Sequence, residues 1–260
     1  MKILIVSGFL GAGKTTFIKR LARNVDQRFA ILENEYGAAG IDGARLGQNR
    51  QGTQKNVWEM TEQCICCIGK KDFAASVLTI ANVVDPEYLI VEPTGVGSLA
   101  RIIENLRQIE YERIQLLSPV TIVDVYSYRR YMAEYPELYQ DQIRSADTII
   151  VSKTEACQAE EKQRIQKFLQ EINPQAKIIT DYASTMTRED YQSLLLGGRY
   201  EKEVQDTQSG EKMPETFSFE NIRMEAPETL WCFLEQIIRG AFGNIIRAKG
   251  QFLSLIHISE

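Results

Sequence analysis

Two short stretches of this 260-residue chain hold residue types that can do chemistry, at spacings that let them act together. The first is Gly8-Phe9-Leu10-Gly11-Ala12-Gly13-Lys14-Thr15, which fits G-x-x-x-x-G-K-[ST] between a strand-like and a helix-like run. Its glycines let the backbone curl so that N–H groups face one point, and the N-terminus of the next helix adds positive potential there. Lys14 is placed to reach the β- and γ-phosphates of a nucleotide, and Thr15 can ligate Mg²⁺ through its hydroxyl. The second is Cys64-Ile65-Cys66-Cys67, which supplies up to three soft thiolates within four positions. Zn²⁺ takes four ligands in closed sites and fewer protein ligands in open ones. Three sulfurs therefore suggest an open or exchangeable site, completed by water, Glu35, Glu59, Glu62 or Asp72. Soft ligands also suit Cu(I), so the residues alone do not choose the metal. The competing reading is one buried structural cysteine with two incidental neighbours.

Two further elements follow in the order a nucleotide site needs. Tyr88-Leu89-Ile90-Val91-Glu92 reads as a buried strand that delivers a carboxylate at its C-terminal end, where α/β sheets place their ligands. Glu92 can hold the Mg²⁺ hydration shell, and Gly95, three residues on, can donate a backbone N–H to a γ-phosphate. E-P-T-G would then sense that phosphate; a plain strand-ending turn would also explain Pro93 and Gly95. Thr148-Ile149-Ile150-Val151 is followed by Ser152-Lys153-Thr154-Glu155, similar to the N/S-K-x-D element that reads guanine. A carboxylate there accepts from guanine N1–H and N2–H₂, whereas adenine offers a lone pair at N1 and is repelled. Here the acid is Glu155, one methylene longer than aspartate. The expected substrate is GTP rather than ATP.

These motifs need a scaffold, and the chain predicts one. Lys2 to Val6, Phe29 to Leu32, Glu87 to Val91, Pro119 to Val123, Thr148 to Val151 and Lys177 to Ile179 are short apolar runs typical of buried parallel strands. Amphipathic stretches lie between them, one of them built on Ile165, Phe168, Leu169 and Ile172. Alternation of this kind implies an α/β fold, a mostly parallel sheet with helices on both faces. Residues 1–196 are expected to form this nucleotide domain, and the polar, glycine-bearing residues 197–215 a linker. Residues 216–252 would open a second, α+β domain: a strand over Thr216 to Met224, a helix over Glu228 to Arg239 and a strand from Asn244 to Ala248. Residues 253–260 (LSLIHISE) resemble a translated sequencing adaptor, so the native protein is expected to continue past Phe252; a genuine final strand is the alternative. His257, the single histidine, falls in that string.

Composition narrows the classes. With 44% hydrophobic and 25% charged residues the chain can build a core. A net charge of -5 argues against a nucleic-acid partner. No apolar run approaches the roughly 18 residues of a membrane span, and no cleavage site follows the first apolar run, so a cytoplasmic location is expected. Five cysteines are too few and too uneven for a disulfide framework.

In this order, GFLGAGKTT, Glu33-Asn34-Glu35-Tyr36-Gly37, CICC, VEPTG and SKTE resemble the CobW-like GTPases, a SIMIBI-class family that includes zinc metallochaperones. The resemblance implies phosphate and Mg²⁺ binding by Gly8, Gly11, Ala12, Gly13, Lys14, Thr15 and Thr16, and a γ-phosphate switch at Glu92 and Gly95. It implies base reading by Ser152, Lys153 and Glu155, and metal binding by Cys64, Cys66 and Cys67. No residue is an obvious base for the attacking water, and Glu35 is the candidate. Ala38 stands where the family commonly has a carboxylate, and Gln63 where a glycine usually precedes the thiols. The implied function is GTP hydrolysis coupled to binding and delivery of a thiophilic metal, zinc by analogy, to a client metalloprotein. The alternative is a nucleotide-switched partner-binding module, with structural thiols, that acts in maturing a cobalamin- or metal-dependent enzyme. The oligomeric state stays open.

Overall fold

The computed structural model describes residues 1–27, 29–35, 57–63, 70–204, 226–243, 245, 246 and 248. Strand β1 (Lys2–Gly8) is central because Ile3, Leu4, Ile5 and Val6 have no polar face and must be covered on both sides. The other strands are β2 (Phe29–Glu35), β3 (Val57–Gln63), β4 (Tyr88–Glu92), β5 (Gln115–Leu116), β6 (Val120–Asp124), β7 (Thr148–Ser152) and β8 (Lys177–Ile179). They lie in the order β3-β2-β4-β1-β6-β7-β8, and every strand pairing is parallel. The short β5 shares with β6 one edge of β1.

Side-chain alternation sorts the core into two faces. Ile3 and Ile5 point into one layer with Val77, Ile80, Leu99, Ile103 and Leu106, residues of helices α2 (Lys70–Val83) and α3 (Leu99–Arg107). Leu4 and Val6 point the other way, onto Phe17, Ile18 and Leu21 of α1 (Lys14–Asn24). Tyr182 of α7 (Tyr182–Thr185) and Tyr191 and Leu195 of α8 (Arg188–Leu196) complete that layer. Helices α4 (Tyr128–Glu134), α5 (Pro136–Arg144) and α6 (Ala159–Ile172) cover Val123, Ile149 and Val151. The result is the expected α/β sandwich, helices on both faces of a parallel sheet. The chain leaves β1 toward β2 on one side and later crosses from β4 to β6 on the other, so the loop after β1 opens at the switch point where α/β sheets bind ligands.

Several boundaries differ from the sequence expectation. β2, β6 and β7 each run past the apolar stretch, to Glu35, Asp124 and Ser152, and so, like β4 with the expected Glu92, each ends on a polar residue at the sheet's C-terminal edge. β3 and β5 were not expected: VWEMTEQ is not a continuous apolar run, and β5 is two residues long. The expected linker begins as a docked strap. Tyr200 is 2% exposed, its N–H donates to Leu116 O (2.9 Å), and its hydroxyl donates to Ser145 O (2.9 Å). Arg199 pairs with Glu110 at 3.0 Å. The expected C-terminal helix is present as α9 (Pro227–Ile238), whereas Ile245, Ile246 and Ala248 lie in no strand. Thr216 to Met224 and His257 lie outside the described residues.

Candidate functional site

The end of β1 turns where only glycine fits. Gly8 has φ 140°, and a β-carbon there would sit 2.4 Å from Ile122 O of β6. Gly13 has φ 101°, in the left-handed region, and starts α1. No side chain caps α1 at Gly13 and no acidic residue stands in its first turn, which keeps the positive pole of the helix for an anion. The Lys14 ammonium, on a residue 6% exposed, donates to Gly8 O (2.9 Å) and Phe9 O (3.4 Å), folded along the loop it is expected to serve. Thr16, next but one, is exposed in the first turn of α1. Phe9 is 1% exposed and packs on Tyr131, its ring centre 4.1 Å away. The Tyr131 hydroxyl donates to Leu10 O (3.2 Å), so an aromatic cluster backs the loop.

Thr15 and Glu92 meet as a Mg²⁺ pair would need to. The Thr15 hydroxyl donates to both carboxylate oxygens of Glu92, at 3.0 and 3.2 Å, although the two residues are 77 positions apart. Beyond Glu92, Thr94 is buried and Gly95 lies against the glycine loop. A β-carbon on Gly95 would come within 2.5 Å of Leu10 N, so the E-P-T-G segment and the phosphate loop share one contact surface. The donor set and the space left by these glycines fit a Mg²⁺-bound nucleoside triphosphate.

The Ser152-Lys153-Thr154-Glu155 element is tied to the same loop. Ser152, at the end of β7, donates its hydroxyl to Ala12 O at 2.6 Å. Its position in the site is thus a strut under the phosphate loop. Lys153 has φ 61° and reaches Asp124 Oδ2 at 2.6 Å. Asp124, 5% exposed, also accepts from Tyr126 N (2.9 Å) and from the Ser127 hydroxyl (2.9 Å). Glu155 is exposed on the following turn. On the neighbouring loop, Asp181 (φ 55°) accepts from the Lys162 ammonium at 2.7 Å. That hydrogen bond, followed by one from Thr154, holds its carboxyl below the usual range. Asp124 and Asp181 were not singled out in the sequence. Asp124 carried the same signal as Glu92, a carboxylate closing a buried apolar run.

The thiols fall outside the described residues, but the strand that leads to them does not. In the parallel register Glu92 of β4 pairs with Glu33 of β2, and Glu33 with Thr61 of β3. Glu35 pairs with Gln63, two residues further along, and Cys64 follows Gln63 directly. With strands about 4.8 Å apart and about 3.3 Å per residue, the Gln63 and Glu92 backbones are roughly 12 Å apart on the same edge of the sheet. Glu35 closes β2 on that edge. Cys157 is half-buried and Cys232 is exposed, and no other cluster of metal-ligating side chains occurs among the described residues. No helix among them is long and apolar enough to cross a membrane.

Comparison with known proteins agrees with this geometry. Residues 2–180 match the family description "CobW/HypB/UreG, nucleotide-binding domain". The zinc chaperone YeiR of Escherichia coli strain K12 is 30% identical over 178 residues, 67% of this chain and 53% of that protein. The zinc chaperone CobW of Pseudomonas aeruginosa is 27% identical over 194 residues, 64% of this chain and 52% of that protein. The chain thus spans about half the length of these curated relatives. The crystal structure of the Zn(II)-bound YjiA GTPase from E. coli shares the fold, with a TM-score of 0.53 at 19% identity, covering 78% of this chain and 66% of that one. The chain belongs to the CobW/HypB/UreG family, and residues 2–180 are its nucleotide-binding domain.

Proposed function

We propose that the chain is a GTP-hydrolysing metallochaperone that couples its nucleotide state to the binding and delivery of zinc to a client metalloprotein. The observation that carries this reading is the register of β2, β3 and β4. It brings the strand leading into Cys64-Ile65-Cys66-Cys67 to the sheet edge that also bears Glu92. The names of the relatives, zinc chaperones, agree with it.

In this reading the N–H groups of Gly11 and Gly13 and the start of α1 hold the phosphates, Thr16 included, while the Ala12 N–H donates to Phe9 O and closes the loop around them. Lys14 leaves its two loop carbonyls for the β- and γ-phosphate oxygens. Thr15 and Glu92 would hold Mg²⁺, which when bound would supply positive charge against the triphosphate. Gly95 donates its N–H to the γ-phosphate, and Glu35 orients the attacking water. Ser152 braces the loop, Asp124 fixes Lys153 beside the base, and Glu155 accepts from the guanine edge. Loss of the γ-phosphate frees the segment after Glu92 and, with it, the neighbouring strand ends that support the thiols. Linkage then requires zinc to change GTP affinity by the factor by which GTP changes zinc affinity, about 5–150-fold for ordinary couplings. Residues 1–196, with the strap docked on them, form the nucleotide unit, and residues 216–252 open the second domain.

Phosphate release from GTP in the presence of Mg²⁺ tests the hydrolytic half. Turnover that is lost in Lys14→Ala and resists excess ATP supports it; equal displacement by ATP contradicts the guanine assignment. Zinc binding that persists after Cys64, Cys66 and Cys67 are all replaced by serine contradicts the metal half.

A further inference from the structure

The segment after Glu92 is held from behind by two consecutive residues of α5. Gln142, 1% exposed, donates from Nε2 to Gly95 O at 3.1 Å and to Gly97 O at 3.0 Å. Both partners are carbonyl oxygens, which only accept, so the amide can face them in one orientation alone. That orientation leaves Oε1 buried without a hydrogen-bond partner among the described residues. An unpaired buried acceptor costs stability, and an apolar side chain would fill the same volume without that cost. What the amide adds is its pair of donors, both spent on the loop. Beside it, Asp141 Oδ2 accepts from Leu99 N at 2.6 Å and from Ala100 N at 3.4 Å, which fixes the start of α3, the helix the loop runs into. On its other side Gly95 abuts Leu10 of the phosphate loop, with no room for a β-carbon.

We infer that Gln142 is a positioning residue for nucleotide discrimination: by fixing the carbonyls of Gly95 and Gly97 it sets the direction in which the Gly95 N–H faces a γ-phosphate. Gln142 is too buried to touch a ligand, so it acts through the loop. The inference rests on the reading of Gly95 as the γ-phosphate sensor. It adds that the preference for a triphosphate over a diphosphate depends on α5.

The test compares the affinities of a non-hydrolysable GTP analogue and of GDP in Gln142→Met, which keeps the length and loses both donors. The expected result is a fall of about tenfold in the triphosphate-to-diphosphate affinity ratio, the order of one to two lost hydrogen bonds, with GDP affinity within about twofold of wild type. Thr121→Val is the control for general loosening of the same helix. It removes the bond from the Thr121 hydroxyl to Gln142 O (2.8 Å), so it lowers Tm and leaves the ratio unchanged. If Gln142→Met does not fold, Gln142→Leu, a shorter apolar side chain that likewise lacks both donors, is read the same way. Hydrogen exchange of residues 93–99 in the wild type separates the two layers of the reasoning. Extra protection by the GTP analogue over GDP, together with an unchanged ratio in the Gln142 variant, overturns the role of Gln142 and leaves the sensor standing. No extra protection in the wild type overturns the sensor and this inference together.

Discussion

Replacing Ser152 with alanine removes one hydroxyl from the interior of the site and separates two roles that the motif alone would merge. Ser152 is 3% exposed, and its hydroxyl donates to Ala12 O at 2.6 Å, with Val123 O at 3.4 Å as a weaker second acceptor. Ala12 is itself 2% exposed, so water does not readily replace the lost donor. Depriving a buried carbonyl of its donor costs about 1–3 kcal/mol. In a chain of this size each kcal/mol lowers Tm by about 2–4 °C, so Ser152→Ala is expected to melt about 2–12 °C below wild type. Ala12 leads into Gly13, whose φ of 101° shapes the turn ahead of α1. If about 1–2 kcal/mol of the loss must be recovered when the loop closes on phosphate, GDP and GTP affinities both fall about 5–30-fold. Their ratio stays constant, because the loop grips phosphates common to both. Differential scanning fluorimetry and titration of labelled nucleotides measure the two effects. A lower Tm with wild-type nucleotide affinity would show that the bond stabilises the fold without shaping the loop, and the strut would be refuted.

Three further substitutions probe the rest of the site. Glu92→Gln keeps the shape of the acceptor for Thr15 but loses the charge, so the Mg²⁺ concentration needed for half-maximal phosphate release should rise about 10–100-fold; an unchanged Mg²⁺ curve counts against the pair. Asp124→Asn removes the anion that holds Lys153 at 2.6 Å, worth about 1–2 kcal/mol once the solvent around the half-exposed lysine is allowed for. GTP should then lose part of its advantage over ATP in competition binding, and an unchanged advantage would detach Asp124 from base reading. Asp181 carries a depressed carboxyl pKa, caused first by its bond to Lys162, so its contribution to stability is complete above the unfolded value near 4 and is lost as pH falls through the lower folded value. The stability gap between wild type and Asp181→Asn should therefore be constant at neutral pH and close in the acid range; a gap that widens on acidification has the wrong sign.

How much of this was legible beforehand depended on the range of the interactions. The phosphate loop is local: three glycines, a lysine and a threonine within eight positions, between a strand and a helix, leave few other structures. Glu92 and Ser152 were legible because a polar residue that closes a buried strand arrives at the ligand edge of the sheet. The partner of Ser152 was not, since nothing in SKTE says that its hydroxyl meets a carbonyl 140 positions away. Lys153 was expected beside the base, but its anchor Asp124 becomes visible only when β6 and β7 are paired in register. The strap at 197–204 reads as polar linker because only Tyr200 is fully buried in it, with Val204 packed part-way, and its hydrogen-bond partners Leu116 and Ser145 are distant in the chain. β3 was missed for a related reason. Its seven residues have no continuous apolar run, and its place is set by pairing with β2 along its whole length.

The central claim is that the phosphates at the end of β1 and a metal at the thiols share one sheet edge and therefore influence each other. It is tested most directly by titrating the protein with Zn²⁺ in three states: with a non-hydrolysable GTP analogue, with GDP, and without nucleotide. The proposed coupling gives zinc dissociation constants that differ by at least about fivefold between the triphosphate and diphosphate states. Equal zinc affinity in all three would contradict it and leave a nucleotide-binding domain whose cysteines take no part in its nucleotide state.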